Sequence, residues 1–317
     1  MKIVIIEPLG ITNDKVNEAI MPIKAEGHEV VYYETRTENV SELIERGTEA
    51  EIIIVANLPL RKDVIEKCTK LKMISVAFTG VDHIDTEFCK EKGITVCNAA
   101  GYSTNAVAEL AFGLALSVLR NIPKCDAATR VEGTKAGLVG CELFGKKFGV
   151  VGTGAIGARV AEIAMAFGCE VLAYNRSVKP QLEAKGVKFV SLEELLKQSD
   201  IVSLHVPFNG TTAKLIGAEE LGLMKETAIL INTARGGVVD SEELARVLNE
   251  GKIAGAGIDV FEMEPPIPSS HPLINSKNTV VTPHVAFASQ EALYTRAGIV
   301  VNNILRWEQG TPQNLIV

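Results

Sequence analysis

Residues 148–161 read FGVVGTGAIGARVA, an apolar run that leads through a glycine-rich turn into a helical pattern. Gly152, Gly154 and Gly157 give this turn the spacing G-x-G-x-x-G. The first glycine permits a tight turn, the second lets the backbone approach a pyrophosphate, and the third allows close packing of helix on strand. The N-terminus of the helix adds partial positive charge for phosphates. The stretch therefore predicts a dinucleotide-binding βαβ unit.

The next predicted strand, 170–174, ends before the residue that contacts the adenosine ribose in such units. An acidic side chain there normally binds the ribose hydroxyls of NAD. This chain instead has Asn175, Arg176 and Ser177. A carboxylate would repel a 2′-phosphate, whereas an amide, a hydroxyl and a guanidinium can bind one. We expect NADP(H) to be favoured. NAD(H) is the alternative if Asn175 binds a plain ribose and Arg176 is only a solvated charge.

Outside this unit, short apolar runs alternate with helix-like stretches along the chain. This alternation is typical of parallel sheets with crossover helices. The 317 residues are enough for two hydrophobic cores. We predict an α/β fold with two doubly wound parallel-sheet domains, a Rossmann dinucleotide-binding domain and a smaller flavodoxin-like domain. The strand candidates are KIVIIE, EVVYYE, EIIIVAN, KMISVA and ITVCN, then KFGVVG, EVLAYN, KFV, IVSLHV, AILINTA, IAGAGIDV and NTVVTPH.

Three further segments have less regular signals. Residues 106–119 are apolar nearly all round, which predicts a buried helix that links domains or lines a subunit interface. Residues 121–145 contain Pro123 and four glycines without a clear period, and we predict irregular structure there. Residues 289–308 predict one long helix.

Composition excludes several classes of protein. The net charge is −7, and no basic run could follow a phosphate backbone, so we expect no nucleic-acid partner. The opening MKIVIIEPLG is too short an apolar run for a signal peptide or a membrane span, and it predicts a buried strand. The six cysteines form no C-x-x-C pair, so we expect neither disulfides nor a metal site, and a cytoplasmic protein.

Two longer stretches carry a family resemblance. Residues 231–266, INTARGGVVDSEELARVLNEGKIAGAGIDVFEMEPP, and residues 280–289, VVTPHVAFAS, resemble the D-isomer-specific 2-hydroxyacid dehydrogenases in order and spacing. GTGAIG and LHVPFNGTT fit as well, so that the resemblance covers essentially the whole chain. It implies that Arg235 binds the carboxylate and carbonyl of a small 2-oxo acid, that His284 is the acid/base, and that Glu264 is its carboxylate partner.

The chemistry independently needs these residue types. Delivery of a hydride to a carbonyl carbon leaves negative charge on the oxygen, which a positioned proton donor must neutralise. Histidine exchanges protons near neutral pH, and an adjacent carboxylate favours the imidazolium. A forked, permanently charged arginine suits a carboxylate better than lysine does. The competing histidines His28, His83, His205 and His271 lie in no such constellation.

The resemblance also implies a nicotinamide site and a substrate loop. In AFTGVDHID, the backbone amides of Thr79 and Gly80 would receive the substrate carboxylate, with Arg235 and His284 completing the substrate site. Asp259 would bind the carboxamide, or else cap a turn, and Thr104 would either lie near the cofactor or only start the long helix. The cofactor-binding set is Gly152, Gly154, Ala155, Ile156, Gly157, Asn175, Arg176, Ser177, Thr104, His205, Val206, Pro207, Thr212, Thr233, Ala234, Arg235, Asp259 and His284.

By the same resemblance, the last helix returns to the first domain. The substrate domain would then comprise residues 1–98 and 285–317, and the dinucleotide-binding domain residues 99–284, with the active site in the cleft between them. We expect a homodimer.

Two departures from the family pattern matter. Many members have glycine where this chain has Phe287, so the pocket wall near His284 should be bulkier. The chain ends at Val317 without the regulatory domain of many phosphoglycerate dehydrogenases, which makes that activity a less favoured alternative. A cofactor-sensing corepressor on the same fold is the alternative from another class. Formate dehydrogenase chemistry is disfavoured because those enzymes carry an amide in place of Glu264.

Overall fold

The structure is a computed structural model that describes residues 1–317. It divides into two compact units, one formed by Met1–Ser103 with Ala288–Val317 and the other by Thr104–Phe287.

These bounds lie a few residues from those expected at 98/99 and 284/285, for local reasons. The N–H of Ala99 donates to the carbonyl of Phe78 at 2.9 Å, which holds the segment after the last strand of the first sheet in the first unit. The N–H of Ala286 donates to Asp259 Oδ2 at 2.9 Å, which holds the segment after His284 in the second.

The first unit is built on a parallel sheet with strand order β2-β1-β3-β4-β5. All five predicted strands are present, and the residues of β3 and β4 are buried throughout, as expected for strands covered on both faces. The strands are β1 (Lys2–Ile5), β2 (Glu29–Tyr32), β3 (Ile52–Val55), β4 (Met73–Val76) and β5 (Thr95–Cys97). The crossover helices are α1 (Asn13–Ala25), α2 (Val40–Gly47), α3 (Lys62–Ile65) and α4 (Thr86–Lys92).

The second unit is built on a seven-stranded parallel sheet with strand order β12-β11-β10-β9-β6-β7-β8. Each of the predicted strands is present, so the fold class of two doubly wound parallel-sheet domains is confirmed. They are β6 (Lys147–Val151), β7 (Glu170–Tyr174), β8 (Lys188–Phe189), β9 (Ile201–Leu204), β10 (Ile229–Asn232), β11 (Gly255–Ile258) and β12 (Thr279–Val281).

Helices cover this sheet. The first of them, α5, packs closely on β11, because a Cβ added at Gly257 would lie only 2.8 Å from Leu114 Cβ. The helices are α5 (Thr104–Leu119), α6 (Ile122–Arg130), α7 (Ala155–Ala166), α8 (Pro180–Glu183), α9 (Leu192–Gln198), α10 (Ala218–Leu223) and α11 (Ser241–Asn249), with short 3-10 helices at Gly236–Val238 and Pro272–Asn275.

The expectation of irregular structure over 121–145 is wrong for its first part. Helix α6 begins at Ile122, and Pro123 lies in its first turn, where the missing N–H of proline breaks no helical hydrogen bond. No residue of α6 is buried in the chain, so the helix has no apolar face that periodicity could reveal.

The last helix, α12 (Gln290–Glu308), packs against the first unit. Ser289 caps it by accepting the N–H of Ala292 at 3.1 Å. Ser75 Oγ donates to the carbonyl of Val300, and Trp307 Nε1 donates to Thr95 Oγ1, each at 3.1 Å. These bonds explain why two segments distant in the sequence share one core.

No single helix is long and apolar enough to cross a membrane, although α5 and α6 reach that length and composition as a pair bent by 59°. No group of three or more His, Cys, Asp or Glu side chains is placed to hold a metal ion.

Candidate active site

The glycine turn connects β6 to α7, and two of its glycines have no room for a side chain. Gly152 has φ +93°, and a Cβ there would lie 2.6 Å from the carbonyl oxygen of His205. A Cβ at Gly157 would lie 1.9 Å from the carbonyl oxygen of Gly152. At Gly154 nothing lies within 4 Å of the Cβ position. The turn therefore presents bare backbone at the start of α7, which suits a phosphate group.

Two hydroxyls near the carboxyl ends of the strands lack partners. Thr153 Oγ1, in the glycine turn, and Thr233 Oγ1, just after β10, are buried and make no hydrogen bond. A buried polar group without a partner is costly, and such groups often mark a place that a ligand completes. Both hydroxyls lie in segments predicted to contact the dinucleotide.

The segment after β7 is tied to the glycine turn. Asn175 Oδ1 accepts the N–H of Thr153 at 3.3 Å, and Asn175 Nδ2 donates to the carbonyl of Ser177 at 2.8 Å. Arg176 and Ser177 are exposed, and Arg176 has no acidic partner. The structure therefore presents an unpaired guanidinium where a carboxylate would mark preference for an unphosphorylated ribose.

The segment after β9 contains His205, whose ring is unsuited to acid/base work. Its Nε2 lies 2.8 Å from Ser203 Oγ, and desolvation lowers the pKa of His205 to about 3, so the ring is neutral near pH 7. Val206 and Pro207 follow it, and Thr212 Oγ1 closes the loop by donating to the carbonyl of Pro207 at 2.6 Å.

The segment after β10 positions Arg235. Asn232 is 1% exposed, and its Oδ1 accepts the N–H of Ala234 while its Nδ2 donates to the carbonyl of Arg235, each at 3.0 Å. The guanidinium of Arg235 donates to the carbonyl of Ala234 at 2.8 Å. One buried amide thus shapes the turn that carries Thr233, Ala234 and Arg235.

Asp259, directly after β11, shapes the turn that carries His284. Its Oδ1 accepts Thr282 Oγ1 at 2.6 Å and the N–H of Val285 at 2.8 Å, and its Oδ2 accepts the N–H of Ala286 at 2.9 Å. The side chain has no exposed surface. The turn cap that we considered as an alternative for Asp259 is therefore present, and a bond to a carboxamide stays a prediction.

His284 and Glu264 form a close pair. His284 Nδ1 lies 2.8 Å from Glu264 Oε2, with the histidine side chain 16% exposed and the glutamate 65% exposed. The Phe287 ring stands edge-on to the imidazole, at 5.5 Å between centroids and 88° between planes. Since Nδ1 faces the carboxylate, Nε2 is the ring nitrogen that would exchange a proton with a substrate.

Two of the other histidines have structural partners. His28 Nδ1 lies 3.1 Å from the N-terminal amine and its Nε2 2.9 Å from Glu308, while His271 Nε2 lies 3.1 Å from Glu262. His284 and Arg235 both follow the carboxyl ends of strands of the second sheet, as the glycine turn does, at the edge where ligands bind in such sheets.

In the first unit, Thr79 and Gly80 follow β4. Asn98 Nδ2 donates to the carbonyl of Thr79 at 2.7 Å and fixes this segment. None of the hydrogen bonds described for this unit uses the N–H of Thr79 or Gly80, so both donors are uncommitted. Thr104 begins α5 in the second unit, half-buried.

Comparison with known proteins assigns this arrangement to a family. Residues 112–286 match the family model of the D-isomer specific 2-hydroxyacid dehydrogenase NAD binding domain. The glyoxylate reductase of Thermococcus litoralis is 41% identical over 285 residues, which cover 86% of either chain. The chain belongs to the D-isomer specific 2-hydroxyacid dehydrogenase family. The prediction of a nicotinamide-dependent 2-hydroxyacid dehydrogenase is thereby confirmed.

Two further comparisons bear on this dehydrogenase. A solved acyclic imino acid reductase, in complex with NADPH and D-Arg, superposes with a TM-score of 0.88 at 35% identity over the full length of both chains. The D-3-phosphoglycerate dehydrogenase of Methanocaldococcus jannaschii is 41% identical over 273 residues, 85% of the dehydrogenase described here. The match spans about half, 52%, of that relative's length.

Sequence reasoning missed one residue that shapes the site of this dehydrogenase. The sequence pattern predicts no role for Asn232, yet its two hydrogen bonds set the course of the Arg235 turn. An amide at the end of an otherwise apolar strand was the available signal, because a buried polar side chain requires partners.

Proposed function

We propose that this dehydrogenase reduces a small 2-oxo acid, glyoxylate or hydroxypyruvate, to the corresponding D-2-hydroxy acid and can run the reverse reaction. The observation that carries the proposal is the 2.8 Å contact of His284 Nδ1 with Glu264 Oε2. This contact orients the ring of a histidine that lies in the same unit as Arg235 and the glycine turn.

His284 is the proton donor in the reducing direction. The nicotinamide cofactor, when bound, supplies the hydride that the carbonyl carbon accepts. Nε2 of the imidazolium gives its proton to the carbonyl oxygen as negative charge develops there, which leaves a hydroxyl group and a neutral ring. Glu264 holds Nδ1 throughout, so the ring keeps its orientation and the charged form is stabilised. Oxidation of the hydroxy acid reverses the proton transfer.

Arg235 binds the substrate's carboxylate and carbonyl. Its guanidinium stays charged at all working pH values and offers several N–H donors in one plane, which matches a carboxylate next to a carbonyl. The rigid turn set by Asn232 restricts where that plane can point. The uncommitted N–H groups of Thr79 and Gly80 are proposed as further donors to the carboxylate.

The glycine turn and the strand ends fit a nicotinamide dinucleotide. The bare backbone at Gly154 and the unpartnered hydroxyls of Thr153 and Thr233 support this fit. We assign the pyrophosphate to the turn and the start of α7, and the nicotinamide to the Thr233–Ala234 segment. The residues proposed to hold the cofactor are Gly152, Gly154, Ala155, Ile156, Gly157, Thr104, Asn175, Arg176, Ser177, His205, Val206, Pro207, Thr212, Thr233, Ala234, Arg235, Asp259 and His284.

NADP(H) is the proposed preference. The support is the exposed Arg176 beside Asn175 and Ser177, with no carboxylate at the end of β7 to repel a 2′-phosphate. The relative bound to NADPH is consistent with this preference.

A small substrate is favoured by Phe287. Its ring lies against the imidazole that would face the reacting carbon, where glycine would leave more room. A relative that shares 41% of its sequence bears the name glyoxylate reductase, and glyoxylate is the smallest 2-oxo acid.

A homodimer is proposed for the assembly. Helix α6 has no buried residue, and Ile122, Val131 and Val139 are 49%, 77% and 84% exposed. A cavity of about 200 Å³ lies beside α6, lined by apolar side chains that include Val118, Leu119 and Val280. Exposed apolar side chains beside a cavity can mark a protein contact, and a second copy of the chain is the occupant we propose. Light scattering should give a dimer for the wild type and a monomer for Val139→Glu.

One screen tests the proposal. Purified enzyme is mixed with NADPH or NADH and a panel of 2-oxo acids from glyoxylate to branched and aromatic ones, and cofactor oxidation is followed. Steady turnover that is fastest with glyoxylate or hydroxypyruvate supports the proposal. Cofactor binding without turnover on any acid would instead favour the cofactor-sensing corepressor class. Fast turnover on 3-phosphohydroxypyruvate alone would favour phosphoglycerate dehydrogenase.

A further inference from the structure

The two ends of the loop that carries Glu264 are in contact with each other. It runs from Glu262 to His271, and His271 Nε2 lies 3.1 Å from Glu262 Oε2. Ten residues are thus bridged by one contact between the first and the last of them. Glu264 is only two positions from this contact.

The neighbours of the two His271 ring nitrogens indicate which of them donates a hydrogen bond. Its Nδ1 accepts the N–H of Leu273 at 3.3 Å, so the ring proton lies on Nε2 and is donated to Glu262. The ring is held edge-on to Phe261, at 5.1 Å between centroids and 84° between planes. The His271 side chain is only 6% exposed, so it has little freedom to move.

Glu262 is held from a second side as well. Ser241 Oγ, at the first position of α11, donates to Glu262 Oε1, so both carboxylate oxygens are used. Partial burial acts to raise the pKa of Glu262, but the hydrogen bonds from Ser241, from His271 and from its own backbone, together with the attraction to His271, leave the pKa below its usual value. The carboxylate is therefore charged at neutral pH. Lys214, which pairs with Asp240, also interacts electrostatically with Glu262.

The backbone at Glu262 also lies against the turn that carries Arg235. A Cβ at Gly236 would be 1.9 Å from the carbonyl carbon of Phe261 and 2.4 Å from the nitrogen of Glu262. Gly236 directly follows Arg235. The start of the loop is therefore fixed both to α11 and to the arginine turn.

We propose that Ser241, Glu262 and His271, named here the clasp, are positioning residues that hold Glu264 against Nδ1 of His284. The inference rests on the proposed function. Glu264 is itself 65% exposed, so packing around its side chain does little to fix it. The loop sets the position of the Glu264 backbone, and the clasp holds the loop. A loosened clasp lets Glu264 leave the imidazole for part of the time, which weakens the support of the protonated ring.

The test compares Glu262→Gln and the milder Ser241→Ala with Glu264→Gln. A glutamine at 262 must turn its NH₂ toward one of two donors, whereas Ser241→Ala removes a single bond. Glu243→Gln is the control, because it removes a half-buried carboxylate of the same helix α11 that pairs with Arg246 outside the clasp. The pH dependence of 2-oxo acid reduction is measured for each variant, and for Glu262→Gln combined with Glu264→Gln.

The basic limb of the reduction profile is expected to move to lower pH in both clasp variants, by less than in Glu264→Gln. In the double variant the clasp change should add no shift, because Glu264 is the group through which it acts. Hydrogen exchange of the peptide 262–271 in the enzyme without cofactor should be faster in the clasp variants and unchanged in Glu243→Gln.

A clasp that only stabilises the fold would lower the melting temperature without moving the pH profile, and this result would overturn the proposal. The proposal would also be overturned if the clasp change added the same shift to Glu264→Gln as it causes alone. If Glu264→Gln itself leaves the profile unmoved, the proposed role of Glu264 fails and the clasp proposal fails with it. If only the clasp variants leave it unmoved, the proposed function stands and the clasp alone is rejected.

Discussion

Asp259 fixes the backbone of His284, since its carbonyl oxygen accepts the His284 N–H at 2.8 Å while its carboxylate accepts the next two N–H groups. His284 has φ +54°, in the left-handed region that a non-glycine residue seldom occupies. Such a conformation persists only where the surroundings determine it. The histidine of the proposed reaction is thus held by an aspartate that itself has no exposed surface.

Asp259→Asn should therefore damage both stability and catalysis. The NH₂ group of asparagine would face at least one of the N–H or O–H donors, and loss of hydrogen bonds to a charged group lowers the free energy of unfolding by about 1–3 kcal/mol. Misplacement of His284 should lower turnover by about ten- to a hundredfold. Chemical denaturation and steady-state kinetics measure the two effects.

Asp200→Asn is the matched control for this change. Asp200 also accepts a backbone N–H, that of Lys147 at 2.8 Å, and pairs with Lys225 at 2.9 Å, before β9 rather than after a strand of the site. The Asp200→Asn variant should be less stable than the wild type and should keep its turnover. Full turnover in Asp259→Asn would show that the turn does not depend on the carboxylate.

His284→Ala should leave the fold and cofactor binding nearly intact and lower turnover by about 10²–10⁴, the usual contribution of a positioned acid/base. Circular dichroism and cofactor titration check the fold, and single-turnover kinetics check the chemical step. His28→Ala is the control, because His28 contacts the N-terminal amine and Glu308 near the start of β2. Turnover close to wild type in His284→Ala would refute the assignment.

Glu264→Gln should move the basic limb of 2-oxo acid reduction to lower pH. The carboxylate at 2.8 Å stabilises the imidazolium, so without it the proton donor is lost earlier as pH rises. Because Glu264 is 65% exposed and solvent screens the pair, the shift of the profile should be small. Rates of cofactor oxidation between pH 5 and 10, at saturating substrate, measure it. A profile identical to that of the wild type would remove Glu264 as the partner.

Asn175→Asp with Arg176→Ala should turn the cofactor preference from NADPH toward NADH. The lost guanidinium removes a charge-assisted bond of about 1.5–3 kcal/mol to the 2′-phosphate, which is at least about tenfold in affinity. The new carboxylate repels the phosphate and accepts from a ribose hydroxyl. Michaelis constants for both cofactors are compared with those of Lys185→Ala, whose lysine pairs with Glu162. A wild type that already prefers NADH would overturn the preference.

Phe287→Ala should widen the range of accepted substrates. Removal of a ring 5.5 Å from the imidazole should raise kcat/KM for branched 2-oxo acids, relative to glyoxylate, by about tenfold or more. Phe144→Ala is the control, because Phe144 is 75% exposed and lies against Gly168 instead. An unchanged ratio would mean that Phe287 does not bound the substrate.

The sequence by itself determined the strands, the dinucleotide turn and the family. Each of these depends on local pattern: alternating apolar runs predict buried parallel strands, and three glycines at fixed spacing predict one backbone path. Arg235, Glu264 and His284 could be named because they lie in runs that resemble those of the family. The pattern failed at α6, where no apolar face exists to produce a period.

Only the tertiary structure decided which side chains hold the site in place. Asp259 follows β11 and His284 follows β12, and their backbone hydrogen bond joins residues that are 25 positions apart. The hydrogen bond from Ser241 to Glu262 joins residues that are 21 positions apart. The capping role of Asp259, the two bonds of Asn232 and the clasp at Glu262 could not be read from spacing. Hydrogen bonds between distant segments depend on strand order and register, which bring the ends of neighbouring parallel strands together regardless of their separation along the chain.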